Sequence, residues 1–223
     1  MEMTTTPAGD AGAVGQPPSV DPALVIARGK RVYLRVLTPG DFDYVVRLAK
    51  DPFIEKMVGS ELLQALRDAE GKAAAVFESC LRDPTQVAMV VMAARGGAEP
   101  IGFTRLFNIH VDEGYAFLET VITDPRALRK GFGVEAGKLI SYYGVDALGL
   151  RRIEAKVYEY NRLSINCLRR NGFHQEGVLR KAGFRDGRYW DLLVFGILKE
   201  EIEDQRRKDQ GPPPRRVAPK GRV

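Results

Sequence analysis

Asp124-Pro-Arg-Ala-Leu-Arg-Lys-Gly-Phe-Gly-Val-Glu-Ala-Gly137 sets the end of an apolar strand, a basic glycine-bearing loop and the start of a helix in immediate succession. That order predicts an anion cradle. Gly131 and Gly133 let the backbone approach a phosphate closely, Arg129 and Lys130 bring positive charge, and the first N–H groups of the following helix have no intrahelical acceptor. A dinucleotide-binding fingerprint would need its first glycine directly after a strand of a parallel βαβ unit, and here Pro125 to Lys130 intervene.

Working outward, the segments before this loop read as an antiparallel meander: strands over 86–94, 100–110 and 115–123, with turns at Arg95-Gly-Gly-Ala98 and Asp112-Glu-Gly114. After it, Val134–Leu148 carries Leu139, Ile140, Tyr143 and Ala147 at helical spacing, and Gly149 supplies the stop. A strand over 152–159, a helix over 162–171, and two strands near 173–182 and 189–198 about the Arg185-Asp-Gly187 turn complete this half. Towards the N-terminus, Arg31–Leu37 alternates as a strand. Thr38-Pro-Gly-Asp41 resembles a capping box opening a helix with Phe42, Val45, Val46 and Ala49. Leu62, Leu63, Leu66, Val76, Phe77, Cys80 and Leu81 mark further helical faces that Gly71 divides. The expected class is α/β in the α+β sense: a mixed, mostly antiparallel central sheet flanked by helices.

The chain has 223 residues, 44% of them apolar, enough for one sizeable core. We expect a folded unit over 28–202. Residues 1–27 and 203–223 are too poor in large apolar side chains to offset the entropy of ordering, and are expected to be disordered tails. Of the net charge of +5, +4 falls between Glu203 and Val223. Such a basic tail can contact nucleic acid or a ribosome, but the simpler reading is a solvated end. The longest uninterrupted apolar run, Val87–Ala94, is far shorter than the roughly 20 residues of a membrane helix. No secretory pattern opens the chain, so the cytoplasm is the expected compartment and no membrane partner is expected. Cys80 and Cys167 lack redox or ligand spacing and read as reduced core thiols. His110 and His174 stand apart, and no metal is expected.

A second block follows the cradle: Asn161-Arg-Leu-Ser164, then Gly172-Phe173, Glu176-Gly177 and, later, Trp190-Asp191. Together with the loop, these motifs resemble the GNAT superfamily of N-acetyltransferases over about 31–200. Their nearest likeness is to the RimJ/RimL-like branch, which acetylates ribosomal-protein N-termini, and to related polyamine acetyltransferases. The resemblance implies a GNAT fold with splayed central strands and acetyl-CoA as co-substrate. It implies that Ile122 and Thr123 offer backbone groups to the pantetheine arm, and that the amides of Arg129, Lys130, Gly131, Phe132, Gly133 and Val134 hold the pyrophosphate. Asn161 would bind the pantetheine side, Ser164 would be the acid for the departing thiolate, and Glu119 would accept the amine proton, with a salt bridge to Arg105 as its plain alternative. Leu168 stands where many relatives carry a tyrosine acid, Leu128 where most carry Arg or Gln, and Gly183 near a glutamate base of some RimL-like enzymes. Tyr158 and Tyr160 read first as packing. The implied reaction is direct acetyl transfer to an amine of a protein N-terminus, polyamine, aminoglycoside or amino sugar. The other reading is a catalytically weak acyl-CoA-binding module that acts through the basic tail.

Overall fold

A computed structural model describes residues 21–95, 99–123 and 130–210. Among the described residues eight strands form one sheet: β1 (Val25–Arg28), β2 (Val32–Val36), β3 (Val87–Ala93), β4 (Gly102–His110), β5 (Tyr115–Ile122), β6 (Arg152–Tyr158), β7 (His174–Arg185) and β8 (Arg188–Leu198). Their spatial order is β1-β2-β3-β4-β5-β6-β8-β7. Every neighbouring pair is antiparallel except β5 with β6. Two parallel neighbours need a crossover, and α5 (Phe132–Leu148) supplies it.

The four helices α1 (Phe42–Ala49), α2 (Pro52–Met57), α3 (Glu61–Asp68) and α4 (Ala73–Arg82) lie between β2 and β3 and cover one face. Their Val45, Leu48, Leu63, Leu66 and Phe77 pack with Val90, Met92, Phe103 and Val121 of the sheet. Helix α5 lies on the other face, where Ala136, Ile140 and Val145 meet Leu34, Leu106, Ala116 and Ile153. Small residues bring it close: a Cβ at Gly144 would stand 3.0 Å from Leu106 Cδ1. Helix α6 (Arg162–Arg170) lies alongside α5.

The capping box at Thr38 is formed, with Asp41 also pairing Arg35 at 2.7 Å. Gly71 and Gly149 have positive φ where the two helical regions end. Helix α2 was not expected from the sequence. Six residues carry too little periodicity to register, although Asp51 caps it and Pro52 opens it, both ordinary start signals.

Both expected limits of the folded unit need correction. Val25–Arg28 pairs with β2, and α7 (Lys199–Gln210) runs past residue 202. Ile202 of α7 is buried, Lys138 pairs with Asp209 at 2.7 Å, and Arg206 pairs with Asp146 at 2.9 Å. Charges that read as a solvated tail therefore dock this helix on α5.

Candidate active site

Strands β5 and β6 pair only over Tyr115–Phe117 with Arg152–Glu154 and then part. In the gap lies a cavity of about 340 Å³, with Leu118, Glu119 and Thr120 on one lip and Ala155, Lys156, Val157 and Tyr158 on the other. The splay expected of the central strands is thus present. On the α5 side the cavity is closed by Gly133, Gly137, Ser164, Cys167, Leu168 and Asn171. On the other side Met57 to Glu61, Arg105 and Phe107 close it.

The cradle opens at the end of β5. Gly131 takes φ +84° as the N-cap of α5, and a Cβ there would meet nothing within 4 Å. No side chain caps the helix, and its first internal bond is Glu135 N–H to the Gly131 carbonyl at 3.0 Å. The amides of Phe132, Gly133 and Val134 consequently have no acceptor among the described residues, and they carry the positive end of the helix dipole. Glu135 fixes this first turn: its carboxylate accepts from the Lys30, Arg31 and Val32 amides at 2.7, 2.8 and 3.1 Å. Lys130 is exposed beside Gly131. Arg129 and Leu128 lie outside the described residues.

Not every expected ligand has its groups free. The Thr123 amide donates to Ile101 O at 3.0 Å, and its hydroxyl meets Ile101 O and Tyr44 Oη, both at 3.2 Å. Alternation along β5 then turns the backbone groups of Ile122, Thr120 and Leu118, rather than those of Thr123, towards the gap. The Asn161 carboxamide is engaged at both ends. Its Oδ1 accepts from Ser164 N at 3.0 Å, capping α6, and its Nδ2 donates to Met57 O at 2.8 Å. Asn161 therefore ties α6 to the end of α2 and sets the cavity wall. Ser164 stands half-buried in the first turn of α6, with no hydrogen bond to its hydroxyl among the described residues.

Glu119 forms the salt bridge to Arg105 raised as its plain alternative. It faces Arg105 in register across β4 and β5, and Arg105 Nε and Nη2 reach the same oxygen, Oε2, at 3.0 and 2.9 Å. Arg105 is held in turn by Gln86 Oε1 at 3.1 Å and lies over the Phe107 ring. The second carboxylate oxygen, Oε1, is buried and has no partner among the described residues. A buried acceptor without a donor is costly, and in a cavity wall it marks a place for a donor from outside.

Three wall residues were given no site role from the sequence. Asn171 Oδ1 is buried and unpartnered among the described residues, and a Cβ at Gly137 would overlap its amide. Cys167, expected in the core, is half-buried on the cavity wall next to Gly133, and burial pushes its thiol up to about 11. Lys156 reaches over the Phe117 ring at 5.1 Å. Only strand parity could have signalled Lys156; the other two required knowing that α6 lies beside α5. Cys80 is buried as expected, its thiol raised by burial. Among the described residues no three His, Cys, Asp or Glu side chains converge as metal ligands would.

Comparison with known proteins places this geometry. A family model described as an acetyltransferase (GNAT) domain matches residues 31–174. The uncharacterized N-acetyltransferase YoaA of Bacillus subtilis (strain 168) is 37% identical over 101 residues, which are 44% of this chain and 54% of that protein. The chain thus spans about half the length of this curated relative. The alpha/beta-tubulin-N-acetyltransferase 9 of Mus musculus is 29% identical over 193 residues, 77% of each protein. Among solved structures, the spermidine N-acetyltransferase of Vibrio cholerae in complex with CoA and spermine superposes with a TM-score of 0.66 at 23% identity. It covers 78% of this chain and 99% of that one.

Proposed function

Since the chain belongs to the GNAT acetyltransferase family, we propose that it is an N-acetyltransferase that moves an acetyl group from acetyl-CoA directly to a primary amine. The observation that carries this reading is the parting of β5 and β6 beside the uncapped amides of Phe132, Gly133 and Val134. A diphosphate suits those amides, with Lys130 adding charge. A pantetheine arm suits the β5 lip, where Ile122 and Thr120 offer backbone groups.

In this scheme the amine nitrogen attacks the thioester carbon, the new C–N bond forms and the C–S bond breaks. One proton leaves the nitrogen for Glu119 Oε1 and passes on to solvent, and the thiolate receives one from the Ser164 hydroxyl on the α6 wall, which regains its proton from solvent. Amides on the β5 lip face the oxygen on which charge develops.

The acceptor in this reading is the α-amine of a polypeptide, as in the RimJ/RimL-like branch. Two carboxylates line the cavity, Glu61 and Glu119, and Arg105 already neutralises the second. A polyamine carries several charges that need unpaired carboxylates, and its amines ionise near the roughly 10.4 of lysine. A peptide α-amine, near about 7.7–8.0, keeps a substantial neutral fraction near neutral pH, far more than a polyamine, and needs only a weak base. The curated relative named for tubulin fits a protein acceptor. The cytoplasm expected from the sequence is the compartment of this reading.

A free-thiol assay with acetyl-CoA tests it, run against an N-terminal peptide, spermidine, an aminoglycoside and an amino sugar. Turnover greatest with the peptide is expected. Spermidine outrunning the peptide would reassign the acceptor, and no turnover with any amine would remove the enzyme. Gly131→Glu should abolish CoA binding in calorimetry by placing bulk and like charge in the cradle, and unchanged affinity would argue against the pyrophosphate site.

A further inference from the structure

A neutral primary amine attacks well only when its lone pair points at the carbonyl carbon, and two N–H groups anchored by two acceptors fix that direction. One acceptor is Glu119 Oε1. The structure assigns the second: we infer that Tyr158, on the opposite lip, holds the attacking amine through its phenolic oxygen, an inference that rests on the acetyltransfer reading above.

Strand register puts the two groups on one side of the sheet. Phe117 pairs with Glu154, so Glu119 shares a face with Lys156 and Tyr158. Both Glu119 and Tyr158 line the cavity. The other wall hydroxyls are unsuited to the task. Ser60 Oγ accepts from Leu63 N at 3.2 Å, Thr120 Oγ1 bonds Thr104 Oγ1 at 2.7 Å, and Ser164 belongs to α6 on the opposite face. Tyr158 is 7% exposed, yet its hydroxyl makes no hydrogen bond among the described residues.

The hydroxyl oxygen is not itself sealed off: it opens onto the cavity, where a ligand N–H can reach it. The ring is nonetheless firmly seated. Tyr160 stacks on it at 5.2 Å, a Cβ at Gly59 would stand 3.2 Å from its Cε2, and a Cβ at Gly183 would overlap its Cε1. Gly183 thus reads as the space this ring requires. Tyr160, by contrast, uses its hydroxyl on Lys56 O at 2.6 Å.

The test compares kcat/KM for an acceptor peptide with a free primary α-amine and for its N-methylated form, which has one N–H fewer. Wild type should prefer the primary amine. Tyr158→Phe should keep CoA affinity, lower kcat/KM for the primary amine by about three- to tenfold, and lose a matching share of the preference. Tyr160→Phe should keep the wild-type preference. A Tyr158→Phe variant with undiminished preference overturns the inference alone, as does a Tyr160→Phe variant that loses it equally. A wild-type chain that binds CoA but acetylates no amine overturns this inference together with the acetyltransfer reading.

Discussion

Arg105 and Glu119 face each other with 6% and 10% of their side chains exposed. Replacing one partner of such a buried pair leaves an uncompensated charge, so Arg105→Met should destabilise the fold by about 3–5 kcal/mol. Urea unfolding measures this, and a loss below about 1 kcal/mol would mean that the pair is solvated in solution. Glu119→Gln keeps the shape and should instead lower turnover by about 10²- to 10⁴-fold with CoA affinity retained. Cys167 makes a separate residue-level case. With its thiol held up near 11 by burial, its thiolate fraction at pH 8 is about two orders of magnitude below that of a free cysteine. Iodoacetamide labelling followed by mass spectrometry should therefore be slow at Cys167 in the folded protein and fast after denaturation. Equal rates would place that sulfur in water.

At the scale of elements, the entry to α1 sets a pH dependence. Burial opposes ionisation of Asp41, but hydrogen bonds from Arg35 and Thr38 and the Arg35 charge outweigh it and hold the carboxyl below its ordinary value. A depressed carboxyl contributes its stability fully above the unfolded value, about 3.9, and loses it as pH falls through the lower folded value. Asp41→Asn should therefore flatten the stability profile below about pH 4 in denaturant titrations; a profile parallel to wild type would show that the carboxyl is not depressed. Helix α7 explains why its own segment misread as a tail: Ile202 is the single apolar residue between Lys199 and Gln210, so no stripe announces a helix. Its order comes from partners more than fifty residues away in sequence, Lys138 and Asp146 on α5. Ile202→Ala should cost about 2–5 kcal/mol.

For the molecule as a whole, the features legible in the sequence are those with local causes. The three-strand meander follows from alternation, and the uncapped start of α5 follows from two glycines beside a helix start. The half of the cavity away from α5 was not legible, because its walls come from Met57–Glu61, Arg105, Phe117–Thr120 and Lys156–Tyr158, segments that only the sheet order brings together. Asn161 is an instructive intermediate. Its position beside the site followed from the motif, while its work as a cap and tether depended on the Met57 carbonyl, which nothing local announces. The three-residue seam between β5 and β6 has a mechanical corollary. Five strands on one flank and three on the other are stitched together by a short zip, so the molecule resembles two panels on a hinge with bare lips above it. A thioester nucleotide laid along those lips would act as a substitute strand, and amide hydrogen exchange at Thr120 and Ile122 should slow when CoA is added, as though the sheet had been sewn shut.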